Sequence, residues 1–185
     1  MPRFLRQSVP DVILIEPDLH RDGRGFLLET WQRDRYAESG IDCDFVQDNH
    51  SRSAQGVLRG LHMQVHHPQG KLVRCIEGEV YDVAVDVRPG SATFGQWSGA
   101  TLSAENFQQL WIPQGFAHGF CVVSENAQFE YKCTDFYAPG DEITLAWNDP
   151  ALAIPWPVLD PSLSEKDQRG MSLAEVREHL EKVAR

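Results

Sequence analysis

An all-β fold, a sandwich or barrel with few helices apart from a helical tail, is predicted by three features of this 185-residue chain. Turn-forming clusters punctuate it: Asp22-Gly23, Ser39-Gly40, Pro68-Gln69-Gly70, Arg88-Pro89-Gly90, Pro113-Gln114-Gly115 and Ala138-Pro139-Gly140. The segments between them are short and rich in β-branched and aromatic residues, which fit a pleated, half-buried surface. Amphipathic helical periodicity is confined to the C-terminal end. No repeat, low-complexity tract or Gly/Ser linker divides the chain, so a single domain over residues 1–185 is expected. Its core covers about 10–167 and its tail about 172–184.

Taken in order, residues 31–39 followed by Gly40 suit a short helix closed by a glycine cap. Around Gly60-Leu61-His62-Met63-Gln64, period-2 alternation places Gly60, His62 and Gln64 on one strand face. The clearest strand is Val80 to Val87, stopped by Pro89-Gly90. Tyr81, Val83, Val85 and Val87 share one face, and Asp82 and Asp86 share the other. Two carboxylates on one face ordinarily mean a solvated face; in a small barrel they can instead line a polar pocket. At the tail, Ser172-Leu173-Ala174-Glu175 has the form of a capping box, and Leu173, Val176, Leu180 and Val183 form an apolar stripe after it.

Charge narrows the function classes. Asp and Glu number 27 against 17 Lys and Arg, a net charge of −10, which disfavours nucleic acid or an anionic membrane as partner. No apolar run approaches the ~20 residues of a membrane helix. Met1-Pro2-Arg3-Phe4-Leu5-Arg6 has charge but no apolar stretch behind it, so no signal peptide is expected. Cys43, Cys75, Cys121 and Cys133 are scattered, without a Cys-x-x-Cys pair. Reduced, mostly buried thiols and a cytoplasmic location follow.

Two segments concentrate the chemistry. One runs from Gly60-Leu61-His62-Met63-Gln64 through His66, His67 and Lys71 to Glu77-Gly78-Glu79; the other is Pro113-Gln114-Gly115-Phe116-Ala117-His118. They resemble the two motifs of the cupin superfamily, a jelly roll or double-stranded β-helix barrel. Metal-binding cupins carry His-x-His and then a Glu six residues before a Gly; here those positions hold Gln64 and Lys71. A divalent ion takes His nitrogens and a carboxylate, and an ammonium repels it. Only His62 and His118 remain of that ligand set, and His66 and His67 sit beside Pro68 in a loop. No metal site is expected. Arg59, His62 and Lys71 cluster in an otherwise acidic chain, which suits an anionic ligand and acid–base work.

Further blocks make the resemblance specific. Asp22-x-Arg24-Gly25-Phe26-x-x-Glu29, Gln47-Asp48-Asn49-x-Ser51, Arg59-Gly60-Leu61-His62, Lys71-Leu72-Val73 and Asp82-Val83-Ala84-Val85-Asp86 come first. Pro113-x-Gly115-Phe116-Ala117-His118-Gly119-Phe120, Tyr131-Lys132 through Tyr137, Trp147-Asn148-Asp149-Pro150 and Leu163-Ser164-Glu165-Lys166-Asp167 follow. From about residue 10 to Asp167 the chain resembles the dTDP-4-dehydrorhamnose 3,5-epimerases of nucleotide-sugar biosynthesis. It departs at Met63, where the family often has Phe. The resemblance implies a cofactor-independent jelly-roll homodimer that inverts C3 and C5 of a dTDP-4-keto-6-deoxy sugar. It further implies His62 as base, Asp167 as its carboxylate partner, Tyr131 as acid on the opposite face, and Lys71 beside the C4 oxygen. Arg24, Glu29, Gln47, Asp48, Asn49, Arg59, His118, Glu142 and Lys166 correspond to nucleotide-sugar contacts, and Tyr137 and Phe26 to stacking surfaces. The segment 24–29 is implied to serve the neighbouring subunit's site.

These residue types match that chemistry. A C4 ketone acidifies the hydrogens on C3 and C5, and a histidine, ordinarily near pKa ~6.5, is a base suited to neutral pH. A carboxylate on the ring's other nitrogen fixes its tautomer, and a lysine stabilises the enolate oxygen. Inversion needs a proton from the opposite face, which a tyrosine hydroxyl can supply. No Gly-x-Gly-x-x-Gly fingerprint is present, as befits a reaction without a nicotinamide. Competing readings are a C3-only epimerase or ketoisomerase on the same fold, a metal-dependent cupin oxygenase, and a non-catalytic sugar-binding cupin. Lys71 and Gln64 oppose the oxygenase.

Overall fold

The computed structural model describes residues 1–183. The chain begins with β1 (Arg3–Arg6) and β2 (Ile13–Glu16), then a hairpin of β3 (Leu19–Asp22) and β4 (Gly25–Leu28), then α1 (Arg33–Ala37). Nine strands follow: β5 (Gln47–Ala54), β6 (Leu58–Gln64), β7 (Lys71–Glu77), β8 (Glu79–Asp86), β9 (Trp97–Ser103), β10 (Gln109–Ile112), β11 (Phe116–Val122), β12 (Asn126–Cys133) and β13 (Glu142–Thr144). A single 3-10 turn, Asp167–Arg169, precedes α2 (Leu173–Val183). One sheet has the order β1-β2-β10-β7-β12-β5 and the other β13-β6-β11-β8-β9. Sequence neighbours such as β7 and β8 fall in opposite sheets, so the strands wind between two layers as a jelly roll does.

Three apolar layers explain the strand patterns. Between the sheets lie Val73, Val80, Ala84, Leu102, Leu110, Phe120 and Phe129. Outside the five-stranded sheet, Leu61, Met63, Val83 and Val85 pack against Leu145, Val176 and Leu180. Outside the six-stranded sheet, Ile13, Ile15 and Leu72 meet Tyr36, Ile41 and Trp111. Each buried aliphatic side chain stabilises by roughly 1.5–3 kcal/mol. Both faces of β8 are thus covered, and the expected solvated face is absent: Asp82 and Asp86 are each 0% exposed. The alternation itself holds, but the far side of the strand is interior rather than water. Asp86 accepts from Arg88, Ser91 and Thr93, and Asp82 from His118.

The helices follow their local signals. In α1, shorter than residues 31–39, the Gln32 side chain accepts from Arg35 N at 2.6 Å, and Gly40 follows at φ 96°. The capping box forms reciprocally, Ser172 N donating to Glu175 Oε2 (2.8 Å) and Glu175 N to Ser172 Oγ (3.3 Å). Val176 and Leu180 bury the stripe of α2, whereas Val183 is exposed; the expected end at Ala184 lies outside the described residues. Among the described residues the four cysteines are free, three of them buried, and no helix is long and apolar enough to cross a membrane. The tail after β13 returns over the five-stranded sheet, bridging at Leu145–Met171 and Val57–Ser162. This return carries residues 162–167 to the open end of the sandwich.

Candidate active site

Beneath the site two strands come unusually close. A Cβ on Gly60 would lie 2.5 Å from Gly119 Cα, and one on Gly119 would lie 2.6 Å from Arg59 O. Only glycines fit both positions, and their contact seats His62 of β6 opposite His118 of β11 in register. A register irregularity follows between His118 and Phe120. Simple alternation therefore fails on β6: Arg59 lines the cavity with His62, while Gln64 is absent from the lining.

The cavity, about 700 Å³, opens between the two sheets and is rimmed by the returning tail. His62 Nε2 is 2.5 Å from Asp167 Oδ1, and Ser164 Oγ donates to Asp167 Oδ2 at 2.8 Å. Burial works to raise the Asp167 pKa, but the bonds from His62 and Ser164 outweigh it and hold the carboxyl below its ordinary value. Asp167 thus stays a carboxylate and keeps its imidazole partner oriented, with Nδ1 as the second ring nitrogen. A second pair lies beside it: His118 Nε2 is 2.9 and 3.1 Å from the two oxygens of buried Asp82.

The opposite wall belongs to the six-stranded sheet. Lys71 begins β7 and Tyr131 lies on β12; both line the same cavity as His62. Burial pushes the Lys71 ammonium down and the Tyr131 hydroxyl up, so the tyrosine keeps its proton well above neutrality. Gln47 and Asn49 enter from β5; Asn49 Nδ2 points to Cys133 Sγ at 3.7 Å. Arg59 Nε bonds Ser53 Oγ at 3.1 Å. At the mouth Lys166 pairs with Glu142, and Tyr137, 54% exposed, edges the opening.

Four residues grouped with these by sequence lie elsewhere in the chain. Asp48 turns to the outer face of β5 and pairs with Lys132 at 2.9 Å. Alternation alone separates it from Gln47, Asn49 and Ser51, so the sequence did carry that signal. Arg24, Phe26 and Glu29 belong to the β3–β4 hairpin and the chain just after it, outside the cavity lining. Arg24 pairs with Asp22, Glu29 with Arg35, and Phe26 stacks edge-on against Phe107 at 4.9 Å. The hairpin pairs strands only with itself and rests on Phe107 of the loop between β9 and β10, away from the cavity. Conversely, Ser164, Gln69, Phe120 and Ser162 line the cavity without having been singled out. His66 and His67 face Asp141 (2.6 Å) and Asp135 (3.4 Å) in loops outside the cavity. Among the described residues no three His, Cys, Asp or Glu side chains converge as a metal-ligand set.

The chain and its fold are similar to those of known proteins. The family model described as dTDP-4-dehydrorhamnose 3,5-epimerase matches residues 6–175. The dTDP-4-dehydrorhamnose 3,5-epimerase of Pseudomonas aeruginosa is 59% identical over 172 residues, covering 92% of this chain and 95% of the relative. The crystal structure of dTDP-6-deoxy-D-glucose-3,5-epimerase from Legionella pneumophila, in complex with dTDP-4-keto-L-rhamnose, superposes with a TM-score of 0.94 at 50% identity, covering 97% of each chain. ChmJ, a 3'-monoepimerase from Streptomyces bikiniensis in complex with dTDP-quinovose, gives 0.87 at 33% identity, covering 94% of this chain and 89% of that one.

Proposed function

The chain belongs to the dTDP-4-dehydrorhamnose 3,5-epimerase family, and from that premise we propose how its own residues carry out the reaction. It is an isomerase that inverts C3 and C5 of dTDP-4-dehydro-6-deoxy-D-glucose, giving dTDP-4-dehydro-L-rhamnose. The observation that carries the assignment of roles is the His62–Asp167 pair on one wall of the cavity and Tyr131 with Lys71 on the other.

In this reading His62 removes the proton from C3 or C5. The electron pair of the broken C–H bond moves into the C4 carbonyl, and the enolate oxygen develops its charge beside Lys71. Asp167 stabilises the imidazolium, and Ser164 keeps Asp167 in line. Tyr131 then gives its hydroxyl proton to the carbanionic carbon from the opposite wall, so configuration inverts; proton exchange with solvent resets both groups. Two walls supplied by two sheets are what an inversion requires, because the proton must leave one face of the ring and arrive on the other. His118, held by Asp82, together with Arg59, Gln47, Asn49, Glu142 and Lys166, orients the nucleotide sugar, the cations by charge-assisted hydrogen bonds to the diphosphate. Tyr137 gives an aromatic face at the mouth.

The protein acts as a homodimer in which the hairpin bearing Arg24, Phe26 and Glu29 reaches the neighbouring subunit's cavity. Support comes from Phe26 and Leu27, 56% and 72% exposed on a hairpin that lies outside the lining of the His62 cavity. Four free thiols accord with a cytoplasmic location.

Turnover of the dTDP-4-keto sugar in deuterated water tests the reaction: two deuterons, at C3 and C5, are expected. One deuteron at C3 would instead make it a mono-epimerase; the closer identity to 3,5-epimerases, 59% against 33% for the 3'-monoepimerase, favours two. Activity is expected to survive exhaustive chelation, and loss restored by a divalent ion would overturn the metal-independent assignment.

A further inference from the structure

Gln64 ends β6 with its side chain buried, 4% exposed, yet it is absent from the cavity lining. Its amide is engaged almost wholly with the neighbouring loops. Nε2 donates to His67 O (2.7 Å) and to Phe136 O (3.1 Å), and Oε1 accepts from Ala138 N (2.8 Å). One residue earlier, Tyr137 N donates to Oε1 of Gln47 at 2.9 Å. Gln47 begins β5 in the six-stranded sheet, whereas Gln64 lies in the five-stranded sheet. Two glutamines from opposite sheets therefore grip consecutive backbone N–H groups on either side of the Tyr137 carbonyl.

Around Tyr137 itself the loop has no other hydrogen-bonded anchor among the described residues; Gln69 Nε2 donates to Asp135 O (2.8 Å) and Asp141 N to Ala138 O (3.1 Å) on either side. Residues 134–141 join β12 to β13, and their rings are poorly buried: Phe136 is 63% exposed and Tyr137 54%. The ends are tied separately, Gly70 N donating to Thr134 Oγ1 at 2.8 Å and the amides of His66 and His67 donating to Asp141. Between those ties the side chain of Tyr137 edges the cavity mouth. Burial cannot fix an exposed ring, so the directional bonds of the two amides must do so.

We propose that Gln64 is a positioning residue for substrate binding, acting through Tyr137: with Gln47 it forms a two-sheet clamp that holds the Tyr137 ring at the mouth against the keto-sugar nucleotide. This rests on the functional reading above for the identity of the ligand, but not for the clamp itself. A carboxylate at position 64 would face two carbonyl oxygens and lose both donors, so Gln64→Glu should fail as Gln64→Met does, despite its matching shape.

The test combines kinetics with a readout that needs no turnover. The chain has four tyrosines, so 3-fluorotyrosine labelling gives four fluorine resonances, with Tyr137 assigned by Tyr137→Phe. In Gln64→Met the Tyr137 resonance should shift and narrow as the ring gains freedom, while those of core Tyr36 and Tyr81 stay in place. KM for the dTDP-4-keto sugar should rise about tenfold with a smaller change in kcat, since binding geometry is lost and the reacting groups remain. In a Tyr137→Ala background the same substitution should add less than about twofold, because its route of action is gone. An unmoved Tyr137 resonance, or a KM effect of equal size in both backgrounds, overturns the clamp. If Gln64→Met disturbs Tyr36 and Tyr81, Gln64→Glu, with the same shape, is read in its place by the same criteria. A wild-type protein inactive on the keto sugar would sink the functional reading, and the fluorine spectrum would still decide the clamp.

Discussion

The strand-borne walls of the cavity and the N-terminal hairpin place the side chains proposed to act on substrate in opposite ways. His62, His118, Lys71 and Tyr131 stand on strands whose neighbours are buried on both faces of their sheets. Arg24 and Phe26 stand on a two-stranded hairpin that is exposed at nearly every position, and its charges close on local partners such as Asp22. Proton transfer needs atoms held within a fraction of an ångström, which packed sheets supply. A hairpin proposed to meet another surface needs only to be accessible.

Substitutions should separate the two regions most sharply at the base. His62→Ala is expected to abolish product formation and solvent exchange at both carbons, a loss of at least ~10²-fold; exchange at native rate would transfer the base role elsewhere. Lys71→Ala should slow exchange and inversion together by about 10²–10³-fold, since both pass through the enolate. Tyr131→Phe should uncouple them: deuterium still enters while inversion fails or stops at one carbon. Full inversion at native rate would remove the acid role from Tyr131.

At the hairpin the effects should be smaller and of another kind. Phe26→Ala is expected to raise KM by about fivefold, the scale of one lost aromatic contact, and leave kcat nearly unchanged. Sedimentation should show a species of twice the 20.9 kDa chain mass; a monomer at micromolar concentration would contradict the shared site.

Stability should divide the same way. Asp86 is fully buried, and although burial works to raise its pKa, the bonds from Arg88, Ser91 and Thr93 bring it to about 2, against an ordinary 3.8. A depressed carboxyl stabilises the fold above the unfolded value, here above about pH 4, and loses that contribution as pH falls toward 2. Asp86→Asn should therefore lower stability by about 2 kcal/mol at pH 7, with the gap to wild type closing between about pH 4 and pH 2 in urea titrations. Asp22→Asn, whose partner Arg24 is solvated, should change nothing measurable.

Much of this was legible in the sequence because it is local. The capping box of α2 needs only Ser172 and Glu175, and the strand expected over 80–87, found as β8 at Glu79–Asp86, needs only alternation and Pro89-Gly90. The pairing of His62 with Asp167 was legible only through the family resemblance, since 105 residues separate them and neither neighbourhood points to the other. Asp48 was grouped with Gln47 and Asn49 through the resemblance, although period-2 alternation on a regular strand would have set it on the opposite face, where it pairs with Lys132. On β6 alternation failed between Arg59 and His62, because the irregular pairing with β11 there is a property of two strands and not of one.

By itself the sequence determined which residue types were present and which backbone segments could form strands: glycines where two backbones nearly touch, a lysine where a metal's carboxylate ligand would stand. Tertiary structure decided which faces met water. The two carboxylates of β8 became interior because a second sheet and a returning tail covered both sides of that strand. It also decided that Gln64, facing the inner side by alternation, grips a loop instead of lining the cavity. Burial and hydrogen-bond partnership depend on what the rest of the chain brings alongside, and no periodicity within a single strand encodes that.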